Sequence, residues 1–102
     1  MGQETTYRGD RTIDGLLVTV DGDVLNDQQS VAVFSDCGFE WSYEGDGPKQ
    51  LALAILVRHL GDDATAQDLA DPFMRRVVAN FGNDWEMKGA DIDAALENIK
   101  GA

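Results

Sequence analysis

Seven consecutive apolar residues, Leu51, Ala52, Leu53, Ala54, Ile55, Leu56 and Val57, constrain this chain more than any other feature. A helix carrying them is apolar all round, so it has to lie inside the fold rather than on it. The run is far short of the roughly 20 residues that a membrane span needs, which excludes a spanning helix there. Both of its ends are marked. Gly47 reads as an N-cap, which puts Pro48 at the first helical position, where a missing N–H has no intrahelical partner anyway. Gln50 then falls third, where its side chain can reach back to the cap. Gly61 is the natural left-handed stop, so a helix over 48–60 is expected at the centre of the core.

Upstream, residues 5–43 read as strands. Leu16, Val18 and Val20 alternate with Leu17, Thr19 and Asp21, a period of two that turns one face to a core. Asp21-Gly22 supplies a tight turn, after which 23–25 can pair back. Residues 5–8 make a partner strand with Tyr7 as its large side chain. A further strand over 31–34 ends at the turn of Ser35, Asp36, Cys37 and Gly38. Phe39, Trp41 and Tyr43 alternate with Glu40, Ser42 and Glu44, which predicts a strand whose three rings anchor the core.

Downstream, Leu69, Phe73, Val77 and Phe81 stand four apart in a helical region over about 65–81. Pro72 interrupts it, either as a kink or as a fresh start capped by Asp71. Gly82-Asn83-Asp84 is a turn and 85–87 a short extended piece. Ile92, Ala95, Leu96 and Ile99 stripe a last helix over about 89–99. The expected class is α+β, a small antiparallel sheet of three to four strands packed against about three helices, with the 48–60 helix laid across the aromatic strand. No repeat or linker divides the chain, so residues 1–102 are expected to form a single domain.

Charge narrows the setting. Nineteen acidic residues face eight basic ones, for a net charge of -11. Asp outnumbers Glu fourteen to five, and Lys appears only at 49, 88 and 100. Such a surface repels itself at ordinary ionic strength, whereas in molar salt the Debye length falls to about 3 Å. Short, hydrated carboxylates in place of long Lys stems also leave less surface apolar area for salting-out to drive together. The pattern fits a protein adapted to high salt; a mesophilic acidic protein, or an acidic face for a basic partner, is the other reading. Phosphate contacts need clustered Lys or Arg, and only Arg75-Arg76 and the Arg8/Arg11 pair come near, so the charge argues against nucleic acid. The first residues have no basic stretch followed by an apolar run, so no leader is expected and the cytoplasm, or the inside of a virion, is the expected location.

Chemistry-bearing residues are few. Cys37 is the single cysteine, which rules out an internal disulfide or a cysteine metal cluster. His59, the single histidine, falls in the last turn of the central helix with no nucleophile or orienting carboxylate marked by sequence. Asp21, Asp23, Asn26 and Asp27 gather oxygen ligands without calcium-loop spacing, and Asp62-Asp63 and Asp91/Asp93 are no more specific. The loop of Gly45 and Gly47 could hold an anion on backbone N–H groups, but Glu44 and Asp46 beside it repel phosphate. Trp41 and Tyr43 could stack bases or sugars, or simply pack in the core. The candidate binding residues are therefore Trp41, Tyr43, Gly47, Gln50 and His59. No catalytic residue, metal ligand or cofactor is assigned.

The stretch Gly38-Phe39-Glu40-Trp41-Ser42-Tyr43, followed by Gly45-Asp46-Gly47-Pro48 and the run from Gln50, resembles a domain family of unknown function in haloarchaea, other prokaryotes and their phages. Its hallmark reads GFEWGYGGSGPAQLALAIL. The likeness extends to Tyr7-Arg8-Gly9, Phe73, Val77-Val78-Ala79, Trp85 and Asp91-Ile92. This chain departs from the hallmark at Ser42, Glu44 and Asp46, which makes the loop more acidic and less suited to an anion. The resemblance implies a prokaryotic or viral setting and no particular activity. Without a catalytic constellation, the leading expectation is a small non-enzymatic accessory domain that binds a protein partner. The alternatives are a small enzyme or ligand binder using the 41–48 turn, and an acidic mimic of nucleic acid.

Overall fold

The computed structural model describes residues 5–13, 15–35 and 38–101. Cys37 and Asp36, and with them the middle of the expected 35–38 turn, lie outside the described residues. The apolar run forms helix α1, Asp46–Leu60, with Leu51 to Leu56 fully buried. It begins two residues earlier than expected: Gly45, not Gly47, is the N-cap, so Pro48 occupies the third helical position. Gly61 ends it with φ 70, its N–H donating to the Val57 carbonyl at 2.9 Å.

The sheet has four antiparallel strands in the order β3-β2-β1-β4, which makes the fold α+β with three α-helices. Strand β1 (Thr6–Thr12) pairs with β2 (Gly15–Val20), Tyr7 facing Val20 and Gly9 facing Val18. Asp21 and Gly22, at φ 52 and 90, turn β2 into β3 (Asp23–Val24), both central residues having the positive φ that a tight primed turn requires. The fourth strand comes from the far end of the chain: β4 (Trp85–Lys88) pairs with β1, Gly9 facing Trp85 and Tyr7 facing Met87. Tyr7, Gly9, Val18, Val20, Trp85 and Met87 thus share the face toward the helices, and all are buried.

Two of the expected strands are absent. Residues 31–34 form no ladder, because Gln50 from α1 takes up the backbone groups of Ala32, Phe34 and Ser35. Residues 39–44 form none either, and the three rings do not share a face. Ser42 has φ 81, which breaks the alternation, and it is tied instead to the chain after the second helix. Its N–H donates to the Val78 carbonyl at 3.2 Å and its hydroxyl to the Phe81 carbonyl at 2.6 Å. Trp41 is fully buried, Phe39 half-buried and Tyr43 half exposed. There is therefore no aromatic strand for helix α1 to lie across; its main neighbour is the second helix.

Helix α2, Asp63–Arg76, buries Ala66, Ala70, Phe73 and Met74, with Leu69 and Val77 at the rim. Asp62 caps it, accepting from the N–H groups of Ala64 and Thr65 and from the Thr65 hydroxyl at 2.9 Å; these bonds hold its carboxyl below the usual range. Pro72 lies inside this one helix, so Asp71 does not start a second. A 3-10 turn, Val78–Asn80, follows, and α3, Gly89–Gly101, closes the core with Ile92 and Leu96. The Asp91 carboxylate accepts from the Lys88 N–H at 2.9 Å, the returning half of a capping box.

Tyr7 sits at the sheet centre with its hydroxyl lacking a hydrogen-bond partner among the described residues. Burial pushes this group up to about 12 from 10.0, with the Arg58 cation pulling it down and the Asp21 carboxylate pushing it further up. The folded state holds the proton more tightly than the unfolded chain does. The resulting stability is whole below about pH 10 and is lost as pH rises through about 12. Tyr7→Phe should abolish that alkaline loss in a pH series of thermal melts. It should leave stability at neutral pH unchanged or up to about 1 kcal/mol higher, since an unpaired hydroxyl leaves the core.

Candidate functional site

The 41–48 turn is built on an aromatic stack. The Phe81 and Trp85 rings lie parallel with centroids 4.2 Å apart, and Trp41 meets Trp85 edge-on at 5.7 Å. Gly9 makes room for this stack: a Cβ there would stand 2.2 Å from Trp85 Nε1. Trp41 donates from its ring to the Asn83 carbonyl at 3.2 Å. Arg11, at the end of β1, lies over the Trp41 ring with its guanidinium carbon 5.0 Å from the centroid. Its Nη2 donates to the Trp41 carbonyl at 3.1 Å and its Nη1 pairs with Glu40 at 3.4 Å. Trp41 is thus enclosed on its own side of the fold, which leaves no open ring for a base or a sugar.

The other expected binding residues are dispersed. Tyr43 projects from the turn, its ring against Gly45, where a Cβ would approach it to 2.8 Å. Gly47 faces the stem of Glu40, whose Cβ would be 2.9 Å from a side chain there, so its smallness serves close packing. Gln50 is fully buried and uses its amide on the 27–35 segment rather than on the helix cap. His59 lies at the opposite end of α1, its Nε2 2.7 Å from Asp93 Oδ1 on α3. Trp41 and Gln50 are internal, Tyr43 is at the surface, and His59 belongs to another corner. They do not converge.

A shallow groove of about 290 Å³ does touch the turn, between Glu44, Asp46 and Lys49 on one side and Asp71 and Arg75 on the other. Its cations are engaged. Arg75 bonds Asp71 at 2.8 Å and reaches Glu44 at 3.5 Å, and these carboxylates raise it above its ordinary range. Lys49 lies 4.3 Å from the centroid of the Phe34 ring. A second hollow of about 280 Å³ lies between Val20, Val24, Asn26 and Arg58. Among the described residues no three His, Cys, Asp or Glu side chains gather where a metal could be held. Among them, too, no helix is long and apolar enough to cross a membrane.

The sequence model of the family of unknown function DUF6166 matches residues 7–98. The chain belongs to DUF6166. No curated protein and no solved structure matches it. The DUF6166 span begins at Tyr7 and takes in β1 to β4 and most of α3, so the Gly9–Trp85 contact falls wholly within it. Sequence reasoning missed Arg11, Asn83 and Trp85 as partners of Trp41, because each is brought there by pairing remote in sequence. In this DUF6166 chain the outward phase of β2 also carries Leu17, an apolar residue where alternation calls for a polar one.

Proposed function

We propose that this chain is a small non-enzymatic accessory domain that binds a protein partner through the outer face of its sheet, in a halophilic prokaryote or a virus or mobile element of one. The observation that carries the reading is a sheet face opposite the helices on which Leu17 is 44% and Val24 74% exposed. Cross-strand pairing of Val24 with Thr19 puts Val24 on the same face as Leu17. Apolar side chains held out on a rigid sheet are what an interface core is made of. By contrast, the side chains of Trp41 and Gln50 are committed to internal contacts. The cytoplasm or a virion interior is the proposed location.

Affinity capture from native lysate kept in molar KCl tests it. The wild-type chain should retain a protein that a Leu17→Thr/Val24→Thr variant loses. The high-salt setting requires a melting temperature that climbs with KCl, as screening relieves repulsion among the carboxylates. A chain that retains nothing and is monomeric overturns the binding reading, and a melting point that falls with KCl overturns the setting.

A further inference from the structure

We infer that the outer sheet face takes a second copy of this chain, face against face. The inference rests on the interaction reading above and names its partner. Four charged side chains occupy the strand positions of this face: Arg8 and Asp10 on β1, Glu86 and Lys88 on β4. Glu86 reaches Arg8 at 3.5 Å and Lys88 at 3.7 Å. These are two of the eight bases and two of the nineteen acids, so the face is balanced and the whole excess of eleven negative charges lies elsewhere on the chain.

That distribution selects the occupant. Two particles of like charge repel in every approach, and least where the surfaces that meet are neutral. A basic partner would be drawn to the acidic remainder of the surface and would gain nothing here. In a two-fold contact a patch meets itself, and one that carries both signs beside apolar residues can be self-complementary. Leu17 and Val24 then supply the apolar part. Pairing of the sheets edge to edge is disfavoured, because β3 has two residues and β4 has four, with Glu86 and Lys88 exposed on it. Stacking of faces is left.

Sedimentation equilibrium of the full chain in molar KCl tests the inference. A concentration-dependent dimer is expected. Leu17→Thr/Val24→Thr, which keeps a β-favouring side chain at each place, should weaken it on the order of a hundredfold with the helical circular dichroism unchanged. Arg8→Glu/Lys88→Glu makes the face acidic, so it should weaken the dimer in dilute salt and be largely corrected in molar KCl. A monomer at every concentration in molar KCl, or a dimer that neither variant alters, overturns the inference. If the chain is monomeric yet the Thr variant loses a captured foreign protein, self-association fails and the interaction reading stands. If neither a copy nor a foreign partner depends on Leu17 and Val24, both fail.

Discussion

Gln50→Ala is expected to destabilise the protein by about 4 kcal/mol, more than any other polar substitution, and to release the 27–35 segment. Gln50 is fully buried on α1 and uses all of its amide. Its Oε1 accepts from the N–H groups of Phe34 at 2.7 Å and Ser35 at 3.1 Å. Its Nε2 donates to the carbonyls of Asp27 at 2.7 Å and Ala32 at 3.1 Å. The segment it holds has no ladder of its own, so these bonds stand in for one. Each is worth about 1 kcal/mol net, and each backbone group left dry and unpaired costs about 1–3 kcal/mol. Thermal melts check the magnitude, and amide exchange at Phe34 and Ser35 checks the cause, since both protons should lose protection. Gln50→Glu refines the test. A carboxylate can still accept from the two N–H groups but must be protonated to face two carbonyls. Its folded-state pKa is therefore raised, so the variant should be most stable below the ordinary carboxylic range and weaken as pH rises. An alanine variant that melts with the wild type would show that the segment is held by its side-chain packing instead.

The same residue shows how much of the fold was legible. Signals that act within a few residues read correctly: the apolar run, Gly61 as the stop of α1, the Asp21-Gly22 turn, and Leu16, Val18 and Val20 on the inward face of β2. Patterns whose meaning depends on a distant partner did not. Residues 31–34 look like a strand until Gln50, sixteen residues beyond Phe34, claims their backbone. The alternating rings at 39, 41 and 43 look like a strand until Ser42 is drawn toward Val78 and Phe81. Residues 85–88 look merely extended, because their partner strand is at the other end of the chain. Of the candidate site, the sequence marked Trp41 and Gln50 as special, but their importance is to the inside of the fold. The exposed face was visible only as one Leu out of phase.

Gly9→Ala should cost about 3 kcal/mol, although a glycine in a strand interior is ordinarily replaced with a gain. The reason is the Trp85 ring. A Cβ at position 9 would stand 2.2 Å from its Nε1, 2.3 Å from Cε2 and 2.7 Å from Cζ2, all well inside contact distance. The indole cannot simply step aside. Phe81 is stacked on it, Trp41 meets its edge, and Trp41 is itself pinned by Arg11 and by the Asn83 carbonyl. Nor is the ring anchored by a bond that would restore it, since its Nε1 is buried with no hydrogen-bond partner among the described residues. Position is fixed by packing alone, so the added methyl must either lift Trp85 or open the β1–β4 pairing at Gly9. Tryptophan emission should shift to the red as the stack opens, and the melting temperature should fall with it. A double-mutant cycle with Trp85→Leu isolates the cause. With a smaller, flexible side chain opposite, most of the Gly9→Ala penalty should disappear, a coupling of about 2 kcal/mol. An equal penalty in both backgrounds would mean that the glycine is needed for β1 itself and that the stacked rings do not depend on it.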